Sequence, residues 1–142
     1  MKPVRVVWLV SLCAALFVEV AVRAQDSLYL GPGTGVSNVL RIGDRRPAAQ
    51  AGSWQRDRRV ADLEYQTTPD GIVVVVRCDT PKCVTAQGIR VGNTESDVLR
   101  RYGAPRAQAK TAEGVYYEYG GIGFEIAGGS VRRIYAFPME RK

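Results

Sequence analysis

The stretch Gly88-Ile89-Arg90-Val91-Gly92-Asn93-Thr94-Glu95-Ser96-Asp97 decides the fold that this sequence predicts. Its phrase Ile89-Arg90-Val91-Gly92 repeats the earlier phrase Leu40-Arg41-Ile42-Gly43, and an Asn or an Asp follows each copy. Recurrence at a spacing of about 50 residues indicates two copies of one small supersecondary unit. We therefore predict two tandem repeats, residues 40–87 and 88–142, that together form one domain.

The quoted stretch also contains the start of a helix. Thr94 and Asp97 match a capping box in which Asp takes the usual Glu position. Val98, Leu99 and Tyr102 follow at helical spacing, which predicts an apolar stripe that packs into the core. A glycine directly after this stripe then ends the helix.

Strand signals follow the helix. Segments 115–119 and 122–126 alternate in polarity and are joined by Gly120-Gly121, which predicts an antiparallel hairpin. Residues 131–137 predict a third strand, with a bulge near Arg132-Arg133 where the alternation fails.

The first repeat carries weaker versions of these signals. Pro47 to Gly52 predicts a short helix, and residues 60–66 predict a strand. The apolar run Ile72 to Val76 predicts a central strand that is covered on both faces. Residues 25–39 predict a flexible N-terminal segment. The predicted fold class is α+β: two tandem helix-plus-β-hairpin repeats share one antiparallel sheet, with the short helices on one face.

The N-terminus has the anatomy of a secretory signal peptide over residues 1–24. Lys2 and Arg5 precede an apolar run, and Val22-Arg23-Ala24 offers small residues for cleavage after Ala24. We therefore predict a periplasmic or secreted protein.

Two kinds of membrane anchor are alternatives to cleavage. A retained spanning helix needs about 20 apolar residues, and Glu19 ends this run earlier. A lipid anchor on Cys13 is disfavoured because the preceding Leu12 is not small.

The remaining cysteines, Cys78 and Cys83, flank a turn that contains proline. In an exported chain this pattern predicts a disulfide, whereas a redox pair is more typically Cys-x-x-Cys. The chain has no histidine, so we expect no metal site, no cofactor and no Ser-His-Asp or Cys-His catalysis.

The phrase from Gly88 to Thr94, followed by Val98, Leu99 and Tyr102-Gly103-Ala104-Pro105, resembles the Gly-x-Thr…Val…Leu-Gly-x-Pro phrase of the SmpA/OmlA group. Two later segments continue the resemblance, namely Gly121-Ile122-Gly123-Phe124 and Val131-Arg132-Arg133-Ile134. That group consists of small bacterial envelope proteins of the outer-membrane assembly machinery, with a fold similar to one repeat of the β-lactamase inhibitor protein. The resemblance implies a binding module in the cell envelope.

The net charge of +6 is carried largely by arginine pairs, Arg45-Arg46, Arg58-Arg59, Arg100-Arg101 and Arg132-Arg133. These pairs are typical of solvated surface, and they also suit an anionic envelope ligand or a membrane surface. An envelope protein is the other candidate partner, and export argues against nucleic acid.

The sheet face out of phase with Ile122, Phe124 and Ile126 is the predicted binding surface. Its residues in the second repeat are Tyr116, Glu118, Glu125, Arg133 and Tyr135. Tyrosine and arginine are the residue types that anchor protein interfaces, although an ordinary wet sheet face has the same pattern.

The function that follows is an exported, non-enzymatic binding or scaffold module of the envelope. An inhibitor of a secreted enzyme is an alternative. A small hydrolase that uses Glu118 and Glu125 as paired carboxylates is the other alternative.

Overall fold

The strands of the protein form two sheets. The computed structural model describes residues 27–48, 50 and 52–140, so the predicted signal peptide, its cleavage after Ala24 and Cys13 lie outside the described residues. In chain order the strands are β1 Leu28–Gly31, β2 Gly35–Val36, β3 Leu40–Arg41, β4 Gln55–Arg56, β5 Leu63–Thr67, β6 Val73–Cys78, β7 Cys83–Thr85, β8 Ala107–Lys110, β9 Gly114–Glu118, β10 Ile122–Ala127 and β11 Ser130–Ala136.

The larger sheet has seven strands in the order β4-β5-β6-β11-β10-β9-β8, and every neighbouring pair is antiparallel. The smaller sheet has four strands in the order β3-β2-β1-β7, and its β1–β7 pair is parallel. Helix α1, Glu95–Tyr102, is the one helix among the described residues. No helix in that part of the chain is long and apolar enough to cross a membrane.

The predicted fold class is therefore wrong, because the protein is mostly β and has two sheets rather than one shared sheet. The described residues between Pro47 and Gly52 form no helix. The Arg46 amide just before them donates to the carbonyl of Gly71 at 2.8 Å, which holds the chain beside the start of β6. So short a segment without an apolar stripe does not repay the cost of starting a helix.

The start and end of α1 are confirmed. The Thr94 side chain accepts from the Asp97 amide, and the Asp97 carboxylate accepts from the Thr94 amide, which completes the capping box. The amide of Gly103 donates to the carbonyl of Leu99 at 2.9 Å and closes the last turn.

The buried stripe of α1 is narrower than the sequence predicted. Val98 is fully buried, and Tyr102, one turn later, packs on Phe124 with ring centroids 5.0 Å apart. Leu99 is 39% exposed, so its predicted place in the core is wrong. It lies about 100° around the helix from Val98, which turns it away from the sheet.

The hairpin and third strand of the second half are confirmed as β9, β10 and β11. Gly120-Gly121 forms the turn between β9 and β10, and both glycines have positive φ, 71° and 88°. The predicted bulge is present in the β10–β11 pair, where Arg132 is the extra residue.

The apolar run in the first half forms β6, an interior strand of the larger sheet. A bulge in its pairing with β5 places Val73 and Val76 on the same buried face. Val74 and Val75 between them are half-buried, so this strand is not covered on both faces. The bulge adds one residue between the two buried valines, which lengthens the apolar run in the sequence.

Residues 28–36, which we expected within a flexible N-terminal segment, form β1 and β2. Leu30 and Val36 are buried, and burying them fixes this hairpin against the rest of the protein. The amide of Gly33 in the connecting turn also donates to the carbonyl of Gly121 at 3.0 Å.

The repeated sequence phrase is a repeated structure. The Arg41 amide donates to the Asp44 carboxylate at 2.9 Å, and the Arg90 amide donates to the Asn93 side chain at 2.7 Å. The glycine inside each turn has positive φ, 92° in the first and 96° in the second. The short polar residue after each phrase thus closes the same turn.

Each turn is also bonded in the same way to a strand of the larger sheet. Gly43 donates to Val73 and Gly92 donates to Val131, both at 2.8 Å. Val73 and Val131 donate back to the carbonyls of Asp44 at 2.9 Å and Asn93 at 2.8 Å. We call residues 40–78 and 89–136 the first and second units, in which β6 and β11 are matching strands.

The smaller sheet and α1 cover the same side of the larger sheet, which we call the core face. Buried residues from all three meet there, including Leu30, Val98, Val76 and Phe124. The opposite side is the open face, and its side chains include those of Glu64, Gln66, Val75, Arg77, Tyr116, Glu118, Glu125, Arg133 and Tyr135.

The disulfide between Cys78 and Cys83 is confirmed. Cys78 ends β6 in the larger sheet and Cys83 begins β7 in the smaller one. The bond therefore joins the two sheets at a point where both cysteines are buried.

Candidate functional site

The five residues predicted to bind a partner lie together on the open face. Strand pairing sets Tyr116 opposite Glu125, and Glu125 opposite Arg133, so these three form one row across β9, β10 and β11. The neighbouring row consists of Glu118, Gly123 and Tyr135. The structure thus brings all five side chains onto adjacent rows, and their role in binding stays a prediction.

Gly123 explains how two tyrosines from different strands meet. The Tyr116 ring lies across this glycine so closely that a Cβ there would clash with the Tyr116 hydroxyl. The ring thereby reaches Tyr135, and the two rings meet edge to face with centroids 5.6 Å apart. Burial raises the pKa of the Tyr116 hydroxyl, and the charge of Glu118 raises it further. The ring pair is therefore neutral and largely apolar at physiological pH.

Glu125 forms the polar floor of this surface. It is only 8% exposed, and both of its oxygens accept hydrogen bonds from the Arg133 guanidinium, at 3.1 and 2.9 Å. The Tyr135 hydroxyl donates to the same carboxylate at 2.8 Å. Burial and this hydrogen bond raise the pKa of Tyr135, and the bond to Glu125 raises the pKa of Arg133. Glu125 is thus held by groups of its own chain.

Glu118 differs from Glu125 although both lie on the open face. It is half-buried, and no cation within residues 27–48, 50 and 52–140 forms a salt bridge with it. Its charge is therefore not neutralised by a cation of those residues.

Four of the five predicted residues line a cleft of about 450 Å³ on the open face, and Arg133 is not among its lining residues. Its lining residues are Val75, Thr111, Tyr116, Glu118, Glu125, Tyr135 and Phe137. Sequence reasoning missed three of them, Val75, Thr111 and Phe137. Val75 belonged to a run that was predicted to be covered on both faces, and its exposure here depends on the pairing of β6 with β11. We call this site the aromatic cleft.

Trp54 borders the aromatic cleft and was also missed. Its ring lies 3.8 Å from the Arg77 guanidinium carbon and 6.1 Å from the Tyr135 ring centroid. Arg77 in turn pairs with Glu64 at 2.7 Å. Desolvation opposes the hydrogen bonds from Arg77, and the net result is a lowered pKa for Glu64. A single tryptophan between two weak segments gives no periodic signal, so only the folded structure reveals this contact.

The two carboxylates of the predicted hydrolase pair differ in their partners. Glu118 and Glu125 are diagonal neighbours on β9 and β10, but the oxygens of Glu125 are already occupied by Arg133 and Tyr135. Among the described residues, no group of three or more acidic or cysteine side chains is placed to hold a metal ion.

Comparison with known proteins identifies no relative. No family model matches the chain, and no curated protein and no solved structure matches it. The resemblance to the SmpA/OmlA group therefore stays a prediction, and the function must be argued from the geometry of the molecule.

Proposed function

We propose that this chain is an exported, non-enzymatic binding module, and that its aromatic cleft receives a basic side chain of a partner protein. The observation that carries the proposal is one cleft in which Tyr116, Tyr135 and Phe137 surround a carboxylate, Glu118, that has no cation of its own among the described residues.

Aromatic rings and a carboxylate together select a cation. A ring face attracts an ammonium or guanidinium group within about 6 Å of its centroid. The Glu118 carboxylate adds a direct ionic partner. Glu125 is already paired with Arg133, so it contributes shape and a polar floor rather than free charge. The apolar walls accept the methylene stem that a lysine or arginine carries.

Export is supported by the disulfide Cys78–Cys83, which is compatible with a periplasmic or extracellular location. Cleavage after Ala24 and residence in the cell envelope are part of the proposal. Within the same class, an inhibitor of a secreted enzyme would use the same cleft, with a basic surface of that enzyme as the partner.

The first test uses a defined probe. Amide shifts of the labelled mature protein are followed by NMR during titration with N-acetyl-lysine methylamide, and with its norleucine and glutamate counterparts. The lysine probe should shift residues of β9, β10 and β11 at lower concentration than the other two. Equal responses to lysine and glutamate would contradict the proposed selectivity.

The second test uses the partner itself. The wild type and the variants Tyr116→Ala and Glu118→Gln are each crosslinked in an envelope extract, and the amount of partner protein that each one captures is compared. Each substitution should weaken capture by about fivefold or more, as loss of an interface anchor does. Tyr29→Ala is the matched control, because Tyr29 is exposed on β1 and outside the cleft. Loss of capture with Tyr29→Ala alone would mean that the binding site lies on the smaller sheet and would contradict the proposal.

A further inference from the structure

A second pocket, at the β4 edge of the larger sheet, is lined by arginines. Its volume is about 450 Å³, and its lining includes Arg46, Gln55, Arg56, Arg58, Arg59 and Tyr65. It shares no lining residue with the aromatic cleft. We call it the arginine pocket.

The arginine pocket lies where the second unit has its helix. The Arg46 amide donates to Gly71 at 2.8 Å, and the Glu95 amide at the start of α1 donates to Gly129 at 2.9 Å. These bonds come directly after the repeated turns, so Arg46 and Glu95 are matching positions. In the second unit the chain continues as α1, and in the first unit the described residues there form no helix.

Gln55 and Tyr117 are also matching positions. Gln55 pairs with Tyr65, which pairs with Val76 on β6. In the same way Tyr117 pairs with Phe124, which pairs with Ile134 on β11. Each member of the pair therefore lies two strands away from the matching central strand, on the core face.

The two units satisfy these matching positions differently. In the second unit the Tyr117 hydroxyl donates to the Glu95 carboxylate, so a donor meets an acceptor. In the first unit Arg46 offers only donors, and the Gln55 amide, which has one donor group and one acceptor, buries its donor Nε2. Arg46 Nε and Gln55 Nε2 are buried, and neither has an acceptor among the described residues. Buried donors without acceptors are costly, so this pair is a place for an acceptor that the described residues do not supply.

The charge of the pocket fits an anion. Asp57 is the one acidic residue among its described lining residues, against the four arginines. Asp57 already accepts from the amides of Arg59 and Val60, at 2.8 and 3.0 Å. The guanidinium groups of Arg46 and Arg59 also lie 3.9 and 4.0 Å from its oxygens, and Arg56 pairs with Glu64 at 3.4 Å. Arg58 is exposed, and no salt bridge involves it in the part of the chain that the structure describes.

We propose that the arginine pocket binds a phosphate group, either free or carried by a lipid headgroup. A phosphate presents several acceptor oxygens in different directions, so one group satisfies Arg46 Nε and Gln55 Nε2 together. Guanidinium groups match phosphate oxygens in charge and in their forked geometry. This site is separate from the aromatic cleft and does not depend on its function.

The test compares two sources of phosphate. Binding of inorganic phosphate to the mature protein is measured by calorimetry against sodium chloride of equal ionic strength. Binding to vesicles of phosphatidylglycerol is measured against vesicles of phosphatidylcholine. Saturable binding of inorganic phosphate indicates a free phosphate ligand, and binding to the anionic vesicles alone indicates a headgroup. Absence of both would overturn the proposal.

Two variants locate the site. Gln55→Glu replaces the donor Nε2 by a carboxylate oxygen, and Arg58→Gln removes an exposed charge at the rim of the pocket. Each should weaken binding by about tenfold or more, the size of one charge-assisted hydrogen bond.

Arg101→Gln is the matched control, because it removes from the second unit an exposed arginine that, like Arg58, has no salt bridge among the described residues. The control should bind like the wild type, and an equal loss in all three variants would mean unspecific attraction to net charge and would overturn the proposal.

Gln55→Glu should also unfold at higher temperature than the wild type in the absence of phosphate, which shows that the variant is folded. A lower unfolding temperature would contradict the unsatisfied donors on which the proposal depends.

Discussion

Residues 40–44 and 89–93 form the same hydrogen-bonded turn, yet the first leads into an arginine-containing segment and the second leads into α1. The difference begins at the next residue, which is Arg45 in the first unit and the helix cap Thr94 in the second. A shared turn therefore fixes how each unit joins its central strand, and the residues after it decide what covers the sheet.

The consequence is two different coverings of one kind of sheet. Phe124 lies on the core face beneath Tyr102 of α1 and is fully buried. The matching residue of the first unit, Tyr65, is buried as well, at 6% exposed, but it borders the arginine pocket. One unit has a closed apolar core at this place, and the other has a polar pocket that a ligand can enter.

The largest expected effect tests this difference in covering. Phe124→Ala should lower the free energy of unfolding by about 3–5 kcal/mol, because it leaves a cavity beneath the helix. Tyr65→Ala should cost less, since water enters the space from the pocket. Urea denaturation of both variants measures the two losses, and equal losses would mean that the first unit is as closed as the second.

The next effect concerns the pair Tyr117 and Glu95. Tyr117→Phe should cost about 1.5–3 kcal/mol at pH 8, because it removes a hydrogen bond to a charged group. Gln55→Leu at the matching position should raise stability rather than lower it, since it removes a buried donor that has no acceptor among the described residues. Urea denaturation of both variants checks this.

The same pair has a pH signature. The hydrogen bond to Glu95 and burial raise the pKa of Tyr117 to about 12. An unfolded tyrosine has a pKa of about 10, so between these values the unfolded chain releases a proton that the folded chain keeps. Stability should fall as the pH rises through this window, and less steeply in Tyr117→Phe. Denaturation curves at several alkaline pH values check this, and identical slopes would exclude the contribution of Tyr117.

The smallest effect concerns the residue at which the units diverge. Thr94→Ala should cost about 1 kcal/mol, the usual value of a helix cap. Arg45→Ala should change stability by less than about 0.5 kcal/mol, because it is an exposed side chain that caps no helix. Thermal unfolding of the two variants distinguishes them. A similar loss in both would show that the turn, and not the cap, carries the energy.

Local signals predicted most of the second unit, although they missed strand β8 and placed Leu99 in the core. The capping box, the Gly-Gly hairpin and the bulge near Arg132 all depend on residues close in the chain, and the structure contains each of them. The smaller sheet was not predictable in this way, because its β1–β7 pair joins distant segments. The helix expected after Pro47 failed because a proline and a nearby glycine do not replace a cap and a buried stripe.

The candidate site divides along the same line. The alternation of side chains between the two faces of β9, β10 and β11 was enough to place Tyr116, Glu125 and Arg133 on one face. Val75 reaches the aromatic cleft only because β6 pairs with β11. Trp54 reaches its border only because the Trp54 ring packs on Arg77 of β6. The arginine pocket was visible in the sequence only as arginine pairs, since its two unsatisfied donors are defined by folding.

The pairing of the two central strands is locally symmetric. In the β6–β11 pairing, Ile134 faces Cys78 while Ala136 faces Val76, and the Arg77–Tyr135 pair lies between them. Matching residues thus exchange places across this pair, as they do across the axis of a symmetric dimer. The two strands therefore meet as the two copies of a dimer would, within a single chain.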